Sequence, residues 1–279
     1  MRIVRYHLGD RCMRILFVGD VVGRPGRNAV RDIVPSLVQD HAVDTVIVNG
    51  ENSAGGSGIT AATAAELFKY GVQVITLGDH VWDQRETAGL LEKEPRLLRP
   101  ANYPAGAPGS GWNIFEVRGI CPAIGVINLL GRTFMKPVDD PFQVVVSIVG
   151  ELNKQTPVIF IDFHAEATSE KIAMGRFLDG KVSAVIGTHT HVQTADEEIF
   201  PGGTAFLCDA GFTGAHESVI GRNIQAVVKG FTTGMPQRFE VASNDVRLNG
   251  VIVTVDNETG RAISIERVSR KWVDNETRN

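Results

Sequence analysis

A rhythm of short, β-branched apolar runs separated by helical patterns constrains this chain more than any other feature. Strands that alternate with crossover helices build a largely parallel sheet. The runs are Ile15–Gly19, Thr45–Asn49, Gln73–Leu77, Val158–Asp162 and Val182–Gly187. Between the first two, Val30, Ile33, Val34, Leu37 and Val38 fall at helical spacing, and Pro35 is expected to bend or shorten that helix. Thr60 is placed to cap a helix ending at Gly71, and Asp140-Pro141 reads as an N-cap followed by proline at the first helical position, opening a helix to about Leu152. Residues 168–180 start with the capping residues Thr168 and Ser169 and stop at a glycine.

The remaining segments read differently. Asn113–Phe134 suggests a pair of strands around a Gly/Pro turn, residues 204–209 add a strand, and the end of the chain forms a hairpin turning at Asp256–Gly260. Parallel strands early and antiparallel strands later, flanked by helices, give an α/β or mixed α+β sandwich. No internal repeat or linker divides the chain, so residues 13–279 read as a single domain. Residues 1–12 are unpatterned and are expected to be a tail or a mis-assigned start, because the first good strand follows Met13.

Composition excludes several classes of function. A net charge of −4 supplies no global basic field, and no basic stripe is present, so stable nucleic-acid binding is not expected. The three cysteines, Cys12, Cys121 and Cys208, are odd in number and lack a CxxC, which argues against a disulfide framework or zinc ribbon. No apolar run approaches the roughly 20 residues of a membrane span, and the first twelve residues lack a signal-peptide core; the expectation is a cytoplasmic protein.

The strand ends carry the chemistry. Asp20, Glu51-Asn52, Asp79-His80, His164-Ala165-Glu166 and His189-Thr190-His191 each follow an apolar run. In open α/β sheets the carboxyl ends of strands line a common crevice, so these residues are expected to meet. Carboxylate, amide oxygen and imidazole suit manganese, iron or zinc. The ligands are too many for one catalytic ion that keeps an open position, and a pair of ions sharing a carboxylate accounts for them better. Such a pair activates water and clamps phosphoryl oxygens, which points to phosphoester hydrolysis.

Singly, each element also has an ordinary reading. Asp20 suits a turn, His164 a hydrogen-bonded core histidine, and Thr168 and Ser169 simple capping. His189 and His191, two apart on extended backbone, would point to one side. Joint occurrence at the strand ends is what favours a metal site. The glycine-rich stretch Asn52–Gly58 fits either an anion cradle or a plain turn, the helix start at Thr168–Lys171 offers a phosphate position, and Arg24 and Arg27 are candidate phosphate partners.

The motifs GDVVGRPGR (19–27), NGENSAGGSG (49–58), LGDHVWD (77–83), DFHAEATSEK (162–171) and GTHTHVQTAD (187–196) resemble the YmdB-like family of calcineurin-like metallophosphoesterases. The resemblance implies a four-layer αββα sandwich and hydrolysis of 2′,3′-cyclic nucleotides with two iron or manganese ions. It further implies that Asp20, Glu51, Asn52 and His191 hold one ion, that Asp79, His164 and His189 hold the other, and that Glu51 bridges them. His80 would be the general acid, and a metal-bridging hydroxide the nucleophile. The chain departs from the family's Gly-Asn-His motif at Asp79, which adds a negative charge to the cluster.

Two other readings stay open at this point: a phosphodiesterase or phosphatase of broader specificity, and a metal-dependent regulator whose catalysis is incidental. Residues 221–239 suit an active-site flap or a contact in a homo-oligomer.

Overall fold

Thr60 and Asp140 show how local chemistry starts helices here. The Thr60 hydroxyl accepts from the Thr63 amide at 3.2 Å while Thr63 returns the bond to the Thr60 amide at 3.0 Å, a reciprocal cap. Asp140 accepts from the Phe142 amide at 2.9 Å, ahead of Pro141.

A computed structural model describes residues 12–117 and 119–273. The order begins β1 (Cys12–Val18), α1 (Gly23–His41), β2 (Thr45–Asn49), α2 (Ala61–Lys69), β3 (Val74–Thr76), α3 (Thr87–Leu91) and β4 (Leu97–Leu98). It continues with β5 (Trp112–Val117), β6 (Ile120–Leu130), α4 (Pro141–Leu152), β7 (Val158–His164), α5 (Thr168–Phe177), β8 (Ala184–Thr188), β9 (Glu198–Ile199) and β10 (Ala205–Leu207). β11 (Gly214–Ala215), α6 (Ile224–Thr233), β12 (Val246–Asp256) and β13 (Ala262–Lys271) complete it.

The strands divide between two sheets. One runs β11-β12-β1-β2-β3-β4, with β13 beside β12; the other runs β5-β6-β7-β8-β10-β9. β1 to β4 pair in parallel, and the terminal hairpin enters the same sheet antiparallel to β1. In the second sheet β6, β7, β8 and β10 are parallel, with antiparallel strands at both edges.

Alternation of side chains then makes the layers. Ile15 and Phe17 of β1, Ile47 of β2, Val74 of β3, Phe160 of β7 and Ile186 of β8 belong to one apolar layer between the sheets. The Phe17 and Phe160 rings lie 5.1 Å apart there, and full burial of each contributes about 1.5–3 kcal/mol. The opposite phase, Leu16, Val46 and Ile75, packs with Val30, Val34 and Leu37 of α1. Ile159, Ile161 and Val185 likewise pack with Val145 and Val149 of α4 and Met174 of α5. The result is the four-layer αββα sandwich that the family resemblance implied.

Local expectations shift in places. Pro35 lies inside α1 without shortening it, because it is on the exposed side, where water can serve the carbonyl that lost its partner. β1 opens at Cys12; the rest of the expected tail lies outside the described residues. Thr168 and Ser169 do not cap α5: Ala167 occupies the N-cap without a side-chain bond, which places both within the first turn. The final hairpin turns where expected, with the Asp256 carboxylate accepting from the Thr259 amide at 2.8 Å. Among the described residues no helix is long and apolar enough to cross a membrane.

Candidate metal centre

Toward their carboxyl ends, the strand rows that face the inter-sheet layer turn polar. Ile47 is followed on its face by Asn49, Val74 by Thr76, Phe160 by Asp162 and His164, and Ile186 by Thr188; each of these polar residues is completely buried. The loops just beyond supply the remaining site residues, so the cluster sits where both sheets end.

Glu51 and His164 form its centre. Glu51 Oε1 is 3.1 Å from His164 Nε2, and Oε2 accepts from the His80 amide at 3.3 Å. Asp79 Oδ1 lies 3.3 Å from His164 Nε2 and 3.5 Å from His189 Nδ1. Ligand atoms of Glu51, Asp79, His164 and His189 all fall within 4.8 Å of one another, so these four can hold a metal ion. Gly78 leaves the necessary space: a Cβ there would stand 2.1 Å from Glu51 Oε2 and 2.4 Å from His164 Nε2.

A second group adjoins through Glu51. Asn52 Nδ2 is 3.1 Å from Glu51 Oε1 and 3.3 Å from His191 Nε2, while Asp20 Oδ1 is 3.8 Å from His191 Nε2 and 3.9 Å from His164 Nδ1. A half-turn of the Asn52 amide presents its oxygen to the same space. Asp20 Oδ1 is buried and has no hydrogen-bond partner, the condition of a carboxylate oxygen that awaits a cation.

The two histidines after β8 converge for a different reason from the one their spacing suggested. Neither is extended: His189 has φ 98° and His191 φ 66°, both left-handed. That strained turn is pinned by Asp209, whose Oδ2 accepts from the Thr190 amide at 3.0 Å and the Thr190 hydroxyl at 2.7 Å. His191 donates from Nδ1 to the Ile220 carbonyl at 3.0 Å and stacks on Phe212, leaving Nε2 toward Asp20 and Asn52. Glu166 Oε2, 3.2 Å from His189 Nε2, holds the far side of that ring.

Electrostatics match the crowding. Burial, opposed by the charge of His164 and reinforced by Glu51, keeps the Asp20 carboxyl well above the usual range. Burial also works against ionisation of Glu51 and Asp79, but the charge on His164 and its hydrogen bonds outweigh it and draw both below their ordinary values. Burial disfavours a charged His164, yet Glu51, Asp79 and Asp20 together hold its pKa well above normal. Burial and then the charge of His164 bring His189 down to about 4. Carboxylates gathered around a single imidazolium, with one oxygen unpartnered, fit divalent cations by donor type and by charge.

His80 stands at the rim, about one-third exposed, with Nδ1 2.7 Å from Asp83 Oδ2 and 3.2 Å from the Ser57 hydroxyl. Its Nε2 has no hydrogen-bond partner among the described residues.

The other sequence candidates stand in varied surroundings. Arg27 bonds Glu66 and the Ser53 carbonyl, which accounts for its charge; Arg24 is exposed. In the glycine-rich stretch the amides of Ala54, Gly56 and Ser57 bond carbonyls of the loop itself, and that of Ser53 bonds the Gly50 carbonyl. At the start of α5 the Glu170 and Lys171 amides bond the Ala167 carbonyl at 3.1 Å, the Glu170 carboxylate accepts from the Arg132 and Thr133 amides, and the Lys171 side chain is buried against Asp209. Sequence reasoning missed Asp162, Thr188, Thr76, Asn49 and Asp209. For the first four the signal was a polar residue at the inward phase of an otherwise apolar run.

Two sheets between helical layers, with carboxylates, an amide and imidazoles where the strands of both sheets end, define a metallophosphoesterase. The chain belongs to the YmdB-like protein family, whose model matches residues 16–268. It is 47% identical over 256 residues to the 2′,3′-cyclic-nucleotide 2′-phosphodiesterase of Bacillus subtilis (strain 168), covering 92% of this chain and 96% of that protein. A hypothetical protein from Thermus thermophilus shares the fold with a TM-score of 0.88 at 39% identity, covering 94% of this chain and 100% of that one. A novel phosphatase from Mycoplasma pneumoniae aligns with a TM-score of 0.87 at 34% identity, covering 95% of each chain.

Proposed function

We propose that this chain hydrolyses 2′,3′-cyclic nucleotides with two metal ions, iron or manganese, held by the strand-end cluster. The convergence of Glu51, Asp79, His164 and His189 within 4.8 Å carries the reading. It is supported by the likeness to the Bacillus subtilis phosphodiesterase across nearly the whole chain.

Asp79, His164 and His189 would hold one ion and Asp20, Asn52 and His191 the other, with Glu51, central to both groups, available to both. When bound, such a pair supplies an activated water and neutralises phosphoryl oxygens. The protein residues do the rest. The cluster, buried except at Asp79, His189 and His191, would receive the phosphoryl group, and His80, at the rim with its amide 3.3 Å from Glu51 Oε2, would be the nearby proton donor. Asp83 anchors Nδ1 of that ring and leaves Nε2 to deliver a proton to the ribose oxygen as the P–O2′ bond breaks.

Metal analysis of the reconstituted protein together with a panel of cyclic nucleotides, bis-aryl phosphates and phosphomonoesters tests the proposal. It predicts about two ions per chain and ring opening of 2′,3′-cyclic AMP, both lost in Glu51→Gln. Failure to open that substrate while other esters are cleaved would shift the reading to a broader phosphodiesterase or phosphatase, which the extra carboxylate of Asp79 also accommodates. Cellular function persisting in a hydrolytically dead Glu51→Gln would point instead to a regulator.

A further inference from the structure

We propose that Thr188 and Asp162 are positioning residues that orient His164: Thr188 accepts the Nδ1 hydrogen of the ring and passes its own to Asp162, so that Nε2 faces Glu51 and Asp79. The inference rests on His164 being a metal ligand.

The register of the second sheet creates this contact. His164 of β7 and Thr188 of β8 are lateral partners in the parallel ladder, and both face the inter-sheet layer. Thr188 Oγ1 is therefore 2.9 Å from His164 Nδ1. Asp162 lies two residues before His164 on the same face, and its Oδ1 accepts from the Thr188 hydroxyl at 2.6 Å. A hydroxyl has one hydrogen, so once it is given to the carboxylate, only its lone pairs remain for the imidazole. Nδ1 must then be the donor. Loss of the Nε2 hydrogen to a metal leaves this arrangement intact, and the ring cannot turn over without placing a carbon against Thr188.

Asp162 is itself held from both sheets. Its Oδ2 accepts from Thr76 Oγ1 at 2.5 Å and from Asn49 Nδ2 at 2.9 Å, residues of β3 and β2 in the opposite sheet. Asp162, Thr188, Thr76, Asn49 and His164 are all fully buried, so water does not compete for these bonds. The carboxylate thus ties the strand ends of two sheets to the orientation of one imidazole. An outer partner that fixes the tautomer and direction of a ligating histidine typically contributes about 10–100-fold in metal affinity.

The test is a calorimetric titration of the metal-stripped protein with Mn²⁺ alone, in wild type, Thr188→Val and Thr188→Ser, beside thermal melts of each metal-free protein. Thr188→Val keeps the shape and removes the acceptor. It is expected to weaken one binding event about 10–100-fold while leaving the event centred on His191 unchanged. Thr188→Ser restores the hydroxyl and should restore the affinity. A merely structural role would lower the melting temperature and leave both events alike. If Thr188→Val does not fold, Asp162→Asn, isosteric but no longer a carboxylate acceptor, is expected to weaken the same event. Folded Thr188→Val, or in its place Asp162→Asn, binding both ions as wild type does would overturn the inference. Wild type that binds no Mn²⁺ would instead remove the proposed function beneath it, a result the first titration separates.

Discussion

Lys171 donates to the Asp209 carboxylate at 2.7 Å, with both side chains only 1% exposed. The same carboxylate accepts from Thr190, between His189 and His191, and from the Gly211 amide at 2.8 Å. A buried ion pair between α5 and the segment after β10 therefore underpins the turn that delivers two site imidazoles.

Removing one partner strands the other charge in the interior. Lys171→Met should cost about 3–5 kcal/mol in denaturant unfolding, because the carboxylate is left without its counterion. The double change Lys171→Met with Asp209→Leu is expected to recover part of that stability but not metal affinity, since Thr190 still loses its acceptor. Unfolding curves and metal titration of both variants read this directly.

Gly78→Ala should silence the centre with little change of fold. The added methyl would meet Glu51 Oε2 and His164 Nε2 well inside contact distance, and both groups would have to shift. A destabilisation of about 1–3 kcal/mol is expected, together with loss of bound metal in elemental analysis. Full metal occupancy in this variant would contradict the geometry.

His80→Gln separates proton delivery from metal binding. Nδ1 of His80 is spent on Asp83, and no cluster carboxylate bonds its ring. We expect kcat for 2′,3′-cyclic AMP to fall by about 10²–10⁴ with metal content unchanged. Restoration of rate by substrates whose leaving group needs no proton, such as nitrophenyl esters, would confirm the role.

The pH dependence of stability should show His216. Burial lowers its pKa from the ordinary 6.5, while a bond to the Gly214 carbonyl and nearby Asp245 oppose and Arg247 assists. Nε2 lies 3.1 Å from the Asn249 amide nitrogen, an interaction a neutral ring accepts and a charged ring cannot. The unfolded chain then takes up the proton first. Stability is full above about pH 6.5 and falls as pH drops through that value toward the folded pKa. His216, stacked on Phe212, adds to the same-signed contribution of buried His189, so His216→Phe should make this slope shallower without abolishing it in melts of the metal-free protein between pH 5 and 8.

Much of this protein could be read along the chain. β-Branched runs followed by Asp20, Glu51, Asp79, His164 and His189 marked strands whose ends gather carboxylates and imidazoles, because strands buried on both faces read as near-continuous apolar runs that stand out against the polar residues where they end. Caps at Thr60 and Asp140 and the turn at Asp256 were legible for the same local reason: each is an interaction between residues a few positions apart.

What the linear pattern could not disclose depends on pairing between distant segments. Two sheets rather than one, and the entry of β12 beside β1, follow from hydrogen-bond registers that local periodicity leaves open. His189 and His191 meet the cluster through a left-handed turn, because Asp209 holds Thr190 between them. Asn49 bonds Asp162 across 113 residues of sequence, and that bond exists only because two sheets face each other. The sequence alone therefore named most of the residues that can bind metal, whereas the tertiary structure decided which buried polar groups aim them.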